Sequence, residues 1–177
     1  MRLFIAITLS EKAKTSLCSA MDGLRRGGVR GRFTAPEKLH LTLAFLGERE
    51  DSAEAERVLA GLSFRPFFLT LSGSGSFGDV LWAGVERSPQ LEALDAQLRG
   101  ALTKAGIAYD PKPFRPHISL VRGARIPEGV SPRVERCRMK VTRVSLLRSV
   151  PVDGAVQYRE ICSADGSGRK RVEKYGL

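Results

Sequence analysis

Two histidines occur in this chain of 177 residues, and both stand in the same local frame. One lies in Leu39-His40-Leu41-Thr42-Leu43, the other in Pro116-His117-Ile118-Ser119-Leu120, and each follows a proline, Pro36 or Pro113, by four residues. In an extended chain alternate residues share a face. Each imidazole is therefore paired with a small hydroxyl while its aliphatic neighbours turn toward a core. Two such units can bring two imidazoles and two hydroxyls around one phosphate. Imidazole ionises near pH ~6.5, so it can act both as a base toward water and as an acid toward a leaving oxygen. The pattern points to metal-free acid–base chemistry on a phosphodiester.

The residue types give each member a task. His40 and His117 form the acid–base pair, with the two roles unassigned by sequence alone. Thr42 and Ser119 are candidate hydrogen-bond donors to the non-bridging phosphate oxygens. Hydroxyls carry no charge, so a cation is needed as well, and Arg122, three residues past Ser119, is the best placed. Rival readings are weaker. A lone His-x-Thr on a strand is ordinarily structural, but here two copies account for every histidine. Zinc is disfavoured, because neither His-x-His nor His-x-x-x-His spacing is present. No nucleophile-elbow or Cys–His signature is visible. Gly73-Ser74-Gly75 has no Gly-Lys-Ser/Thr for a nucleotide loop and reads as a turn.

The elements that must position these groups follow from periodicity. Arg2 to Thr8 reads as a strand. Ser10 caps a helix whose apolar stripe is Ala13, Leu17, Met21 and Leu24. Arg25 to Gly31 is a basic loop, and the strand carrying His40 is expected to stop at Gly47. Asp51-Ser52-Ala53-Glu54 resembles a capping box opening a helix to about Leu62. Phe67 to Ser72 reads as a strand, Gly73 to Gly78 as a turn, and Val80 to Val85 as a strand. A helix begins at Pro89, with Leu91, Leu94, Leu98 and Leu102 on one face, and ends at Gly106. The second histidine strand runs from Pro116 to about Arg122. Arg138 to Ser149 and Ala155 to Ser163 read as two strands joined through Pro151-Val152-Asp153-Gly154. The repeated histidine unit and the strand–helix rhythm around it predict an α+β fold. Two similar lobes, antiparallel sheets flanked by helices, should share a central cleft within one domain spanning 1–177.

The formal charge is +10. Between Lys112 and Arg148 ten Lys and Arg face only Glu128 and Glu135, so the excess gathers around the second histidine. A basic region of this kind suits a polyanion such as RNA, or else is a solvated face. Cys18, Cys137 and Cys162 are odd in number and widely spaced, which supports neither a disulfide framework nor a zinc ribbon and fits a cytoplasmic setting. Cys18 is expected in the core. No run approaches a membrane span, and the opening apolar run reads as a core strand rather than an export signal. The tail over 165–177, with Arg169-Lys170-Arg171, is rich in glycine, serine and charge and is expected to be flexible in part.

Taken over nearly its whole length, the chain resembles the RNA 2′,3′-cyclic phosphodiesterases, also called 2′-5′ RNA ligases, of the two-histidine (2H) phosphoesterase superfamily. The likeness rests on Arg2-Leu3-Phe4-Ile5-Ala6-Ile7, on Pro36 through Gly47, and on Gly73 to Phe77 followed by Val80-Leu81-Trp82. It continues in Phe114 to Arg122 and in Leu147-Arg148-Ser149 with Gly154 and Tyr158. The resemblance implies a bilobal fold with one histidine from each lobe in the cleft, and no metal or other cofactor. It implies His40 as proton donor to the leaving 3′ oxygen and His117 as proton acceptor from water, yielding a 2′-phosphomonoester. The reverse sense, joining RNA ends through a 2′-5′ linkage, is what the older family name records. The implied partner is RNA with 2′,3′-cyclic phosphate ends, tRNA fragments among them, bound by a monomer without any membrane. Arg115, Arg122 and Phe77 are the expected substrate-binding side chains. Ser119 stands where the family has Thr, and Phe33 where it has Trp. Phe45 is expected in the core, whereas Phe77 stands between core packing and base stacking. Two alternatives stay open: the same chemistry on a small nucleotide such as an ADP-ribose cyclic phosphate, and an RNA-binding module without catalysis.

Overall fold

The computed structural model describes residues 1–166 with their side chains and the backbone of Lys170–Arg171. Ten strands and three helices follow in the order β1 (Arg2–Thr8), α1 (Glu11–Arg26), β2 (Arg30–Phe33), a 3₁₀ turn (Pro36–Lys38), β3 (His40–Glu48), α2 (Ala53–Ala60) and β4 (Phe67–Phe77). After these come β5 (Val80–Val85), α3 (Pro89–Lys104), β6 (His117–Arg125), β7 (Cys137–Val141), β8 (Arg143–Val152), β9 (Ala155–Asp165) and β10 (Lys170–Arg171). They build two five-stranded antiparallel sheets, ordered β10-β9-β8-β1-β3 and β2-β6-β5-β4-β7.

The predicted repeat is visible in the arrangement. β1–α1–β3 and β5–α3–β6 are matching strand–helix–strand units, each placing a histidine strand antiparallel to the strand that opened the unit. Both helices run for 16 residues, and both start from a serine cap: Ser10 Oγ accepts the Ala13 N–H and Ser88 Oγ the Leu91 N–H. Thr42 lies opposite Ala6 and His40 opposite Thr8; Ser119 lies opposite Trp82 and His117 opposite Gly84.

The two halves are nevertheless interlocked. Helix α1 packs on β6 and β7 of the other sheet, α2 packs on β8 and β9, and β2 joins the sheet of β6. The apolar faces of both sheets and the helix stripes meet in one continuous core containing Leu3, Ile5, Leu17, Leu41, Leu71, Leu98, Ile118 and Leu146. The other face of each sheet is left for the histidines.

Several local expectations are corrected. Arg25–Gly31 is not one loop: α1 extends to Arg26, and β2 begins at Arg30. Gly73–Phe77 is not a turn but the second half of β4, and the reversal comes at Gly78, whose φ of 58° suits the missing Cβ. β3 continues through Gly47 to Glu48, while α2 ends at Ala60. The α2 cap contact comes from Asp51, whose carboxylate accepts the Ala53 N–H at 3.0 Å; Ser52 instead donates to Glu56. Arg138–Ser149 is two strands in different sheets, broken at Thr142. The joining turn is Asp153-Gly154, both at positive φ. Cys18 is half-buried at the edge of the core. The tail beyond Gly166 lies outside the described residues, apart from the β10 backbone.

Candidate active site

The two histidines open their strands from opposite sheets and hold the same local bond. His40 Nδ1 lies 2.6 Å from the Lys38 carbonyl oxygen, and His117 Nδ1 lies 2.6 Å from that of Arg115. A carbonyl only accepts, so in both rings Nδ1 carries the proton and Nε2 is the nitrogen left available. Sequence supplies the geometry. The 3₁₀ turn opened by Pro36 ends at Lys38, and Pro116 forces Arg115 into the extended region, so each carbonyl two residues upstream folds back on its ring. Among the described residues neither Nε2 has a protein partner.

Each ring is also wedged by aromatics. The His40 centroid lies 5.0 Å from that of Phe4 and 5.3 Å from Tyr158, which stands edge-on. His117 meets Phe77 edge-on at 5.1 Å, and Trp82 at 6.3 Å lies behind. Phe4, Ala6, Leu147 and Tyr158 form a small apolar cluster on the site face of the first sheet. On the second sheet Trp82 lies over Gly75, where any Cβ would come within 2.3 Å of the indole.

A cleft of about 600 Å³ brings Thr42, Ser119, His117, Arg122, Arg115 and Phe77 to one surface. Arg122 Nη2 donates to Ser119 Oγ at 3.1 Å, so the expected cation stands beside the expected hydroxyl. His40, two residues before Thr42 on the same strand, is not among the residues that line this cleft and is more enclosed than His117. Burial pushes its pKa below the ordinary histidine value, and the charge of Arg122 and then of His117 pushes the same way, against the Lys38 carbonyl. The three groups thus share one electrostatic environment although they come from two sheets. Among the described residues no group of three or more His, Cys, Asp and Glu is placed to hold a metal ion. Nor, among the described residues, is any helix long and apolar enough to cross a membrane.

Two residues escaped the sequence reading. Phe45 was expected in the core but is 45% exposed and lines the cleft. Arg99 on α3 also reaches the cleft, bound to Asp95 at 2.9 Å and to the Lys112 carbonyl at 3.2 Å. Its signal was present: Asp95 falls on the apolar stripe of Leu91, Leu94, Leu98 and Leu102, where a carboxylate requires a partner.

Known proteins share this fold. The chain is 36% identical over 164 residues to the RNA 2′,3′-cyclic phosphodiesterase of Escherichia coli K12, covering 89% of this chain and 92% of that one. It is 34% identical over 137 residues to the protein of the same name from Thermotoga maritima, covering 72% and 73%. Escherichia coli LigT complexed with 3′-AMP superposes with a TM-score of 0.79 at 29% identity, over 93% of this chain and 96% of that one. A structure from Thermus thermophilus gives 0.80 at 29%, over 98% and 100%. With these relatives, and with the family model of the 2′-5′ RNA ligase superfamily matching residues 14–152, the chain belongs to that superfamily.

Proposed function

We propose that the chain hydrolyses 2′,3′-cyclic phosphate ends of RNA to 2′-phosphomonoesters through its two histidines, without a metal. His117 Nε2 takes a proton from water as the water oxygen bonds to phosphorus. The bond from phosphorus to the 3′ oxygen breaks, and His40 Nε2 gives its proton to that oxygen. The products are a 2′-phosphate and a 3′-hydroxyl, with His117 left protonated and His40 neutral until solvent resets them. Thr42 and Ser119 hydrogen-bond the non-bridging oxygens, and Arg122 balances their charge. A ribose 5′-hydroxyl in place of water gives 2′-5′ joining with the same proton transfers.

The observation that carries this reading is the matched pair of Nδ1–carbonyl bonds, which leave an Nε2 available on a histidine from each sheet, together with the Arg122–Ser119 hydrogen bond on the strand of His117. The depressed pKa of His40 is compatible with its role as acid. An anionic phosphate in the cleft opposes the Arg122 and His117 charges that help hold the proton off. The names of the relatives in Escherichia coli and Thermotoga maritima support the substrate class.

The test is hydrolysis of a short oligoribonucleotide ending in a 2′,3′-cyclic phosphate, in EDTA, with the product isomer identified. Metal-independent turnover to the 2′-phosphate alone is expected. A 3′-phosphate product overturns the His40 and His117 roles, and loss of turnover in EDTA overturns the metal-free mechanism. Turnover confined to ADP-ribose cyclic phosphate moves the substrate to the small-nucleotide class. Each histidine replaced by Ala should cost on the order of 10²–10⁴-fold in kcat.

A further inference from the structure

The short strand β2 lies along the outer edge of the sheet that carries His117, and its pairing is electrostatically unusual. Arg32 stands directly opposite Arg122, and Arg30 directly opposite Arg125. Side chains opposite each other across antiparallel strands lie about 4.5–5.5 Å apart at Cβ, where like charges repel. All four arginines are exposed, and among the described residues none forms an ion pair. Asp79 is the carboxylate at hand, but it sits against Gly123 at the turn between the two pairs and bonds the Ala124 N–H through its backbone oxygen.

Glycine makes the alignment possible. Gly31, between Arg30 and Arg32, has φ 149°, and a Cβ there would meet Val121 at 2.8 Å and the carbonyls of Arg122 and Gly123 at 3.0 Å. β2 can approach β6 this closely only without a side chain at that position. A register shift between Arg30 and Arg32 then lets Arg122 and Arg125, an odd number of residues apart, both face arginines. The result is a double row of guanidinium groups that begins at the Ser119–Arg122 pair and runs outward from the cleft. The two rungs are roughly 7 Å apart along the strand, comparable to the distance between neighbouring phosphates of a single strand.

We infer that this arginine ladder is an extended phosphate-binding site, which holds the RNA backbone on the 5′ side of the reacting cyclic phosphate. The inference rests on the proposed reading of the cleft. A cyclic phosphate closes the 3′ end of its strand, so every further phosphate of the substrate lies 5′ of it and must leave the cleft along some charged path. Arg122 belongs to both the cleft and the first rung, which makes the ladder the continuous route. Arg30 and Arg125, the outer rung, act on chain length rather than on chemistry.

The experiment compares the wild-type protein, the Arg30→Gln/Arg125→Gln variant and the charge-preserving Arg30→Lys/Arg125→Lys variant. Turnover is measured on cytidine 2′,3′-cyclic phosphate and on a pentaribonucleotide ending in a cyclic phosphate. Binding of the 2′-phosphate pentamer is followed against salt. The Gln pair should lower kcat/KM on the pentamer by roughly tenfold and leave the mononucleotide unchanged. It should also reduce the slope of log K against log salt by about 1.4, two single-strand phosphate contacts at about 0.7 each. The Lys pair should keep the wild-type slope, and the Gln pair should unfold at a higher temperature in the absence of RNA, because a like-charge contact is gone. Parallel losses on both substrates, or an unchanged salt slope, overturn the ladder. If the wild-type protein turns over neither substrate, the reading of the cleft fails, and the salt slope alone still decides the ladder.

Discussion

Arg99 Nη2, on α3, donates to the Leu43 carbonyl on β3 at 3.4 Å, so a helix from the second strand–helix–strand unit holds the histidine strand of the first. The same guanidinium bonds the Lys112 carbonyl, and the Asp110 N–H donates to the Phe45 carbonyl at 3.0 Å. The segment leading into His117 is thereby laid along the free edge of β3. Asp95 anchors the arrangement, 7% exposed, its pKa raised by burial and drawn back by Arg99.

Replacing Arg99 with Met therefore leaves a buried carboxylate unpaired. A loss of about 3–5 kcal/mol is expected at pH 7, and the double variant Asp95→Leu/Arg99→Met should recover much of it. The sign with pH is fixed by the raised pKa. Burial favours the protonated carboxyl, so the penalty in Arg99→Met grows as pH rises through the Asp95 range and shrinks in acid. Urea unfolding of the three proteins at acidic and neutral pH checks both points. A double variant no more stable than the single would show that the ion pair does not account for the loss.

How much of this was legible in sequence depended on whether periodicity alone fixed an element. The histidine frames, the helices α1 and α3 with the Ser10 cap, and the closeness of Arg122 to Ser119 were readable because two-residue and 3.6-residue periods place side chains without reference to the rest of the fold. The crossing of the chain from one sheet to the other was missed, although a trace exists. Buried positions alternate through Cys137, Met139 and Val141, and the alternation then gives way to an unbroken buried run from Val144 to Leu147. Phe45 was misplaced because β3 exposes it to a cleft that only the second sheet completes. The glycine-rich half of β4 looked like a turn because the reason for its glycine, Trp82 lying across Gly75, is a contact between strands.

His40 titration offers a direct reading of the site, since two imidazole signals are all the spectrum contains. Its pKa is depressed by burial first and by Arg122 and His117 next. An NMR titration should show one histidine below the ordinary value, moving upward when inorganic phosphate is added and upward in Arg122→Gln. By linkage, phosphate should then bind more tightly as pH falls through that range. The same shift sets a stability sign. A depressed folded-state pKa means that the unfolded chain takes the proton first, so His40 contributes stability in full above about pH 6.5 and loses it as pH falls toward the folded value. His40→Gln should flatten this part of the profile, and an equal slope in variant and wild type would assign the acid loss to other groups.

Trp82 supplies the remaining measurement, because it is the single tryptophan and lies behind His117. Its ring centroid is 5.0 Å from Phe77, and its Nε1 is buried with no hydrogen-bond partner among the described residues. The indole holds this position because Gly75, its register partner, offers no Cβ. Gly75→Val puts a branched side chain where a single carbon already comes within 2.3 Å of the ring, so the indole must swing out and carry Phe77 with it. Overpacking of this kind costs typically about 1–3 kcal/mol. The expected signature is a red-shifted tryptophan emission together with a higher KM, since Phe77 stands against His117 at the cleft. Gly73→Ala is the matched control: it also replaces a β4 glycine and is strained by a φ of 72°, but its Cβ meets nothing within 4 Å. It should destabilise the strand without shifting the emission. A red shift in both variants would mean that the glycines serve the backbone of β4 rather than the seat of Trp82.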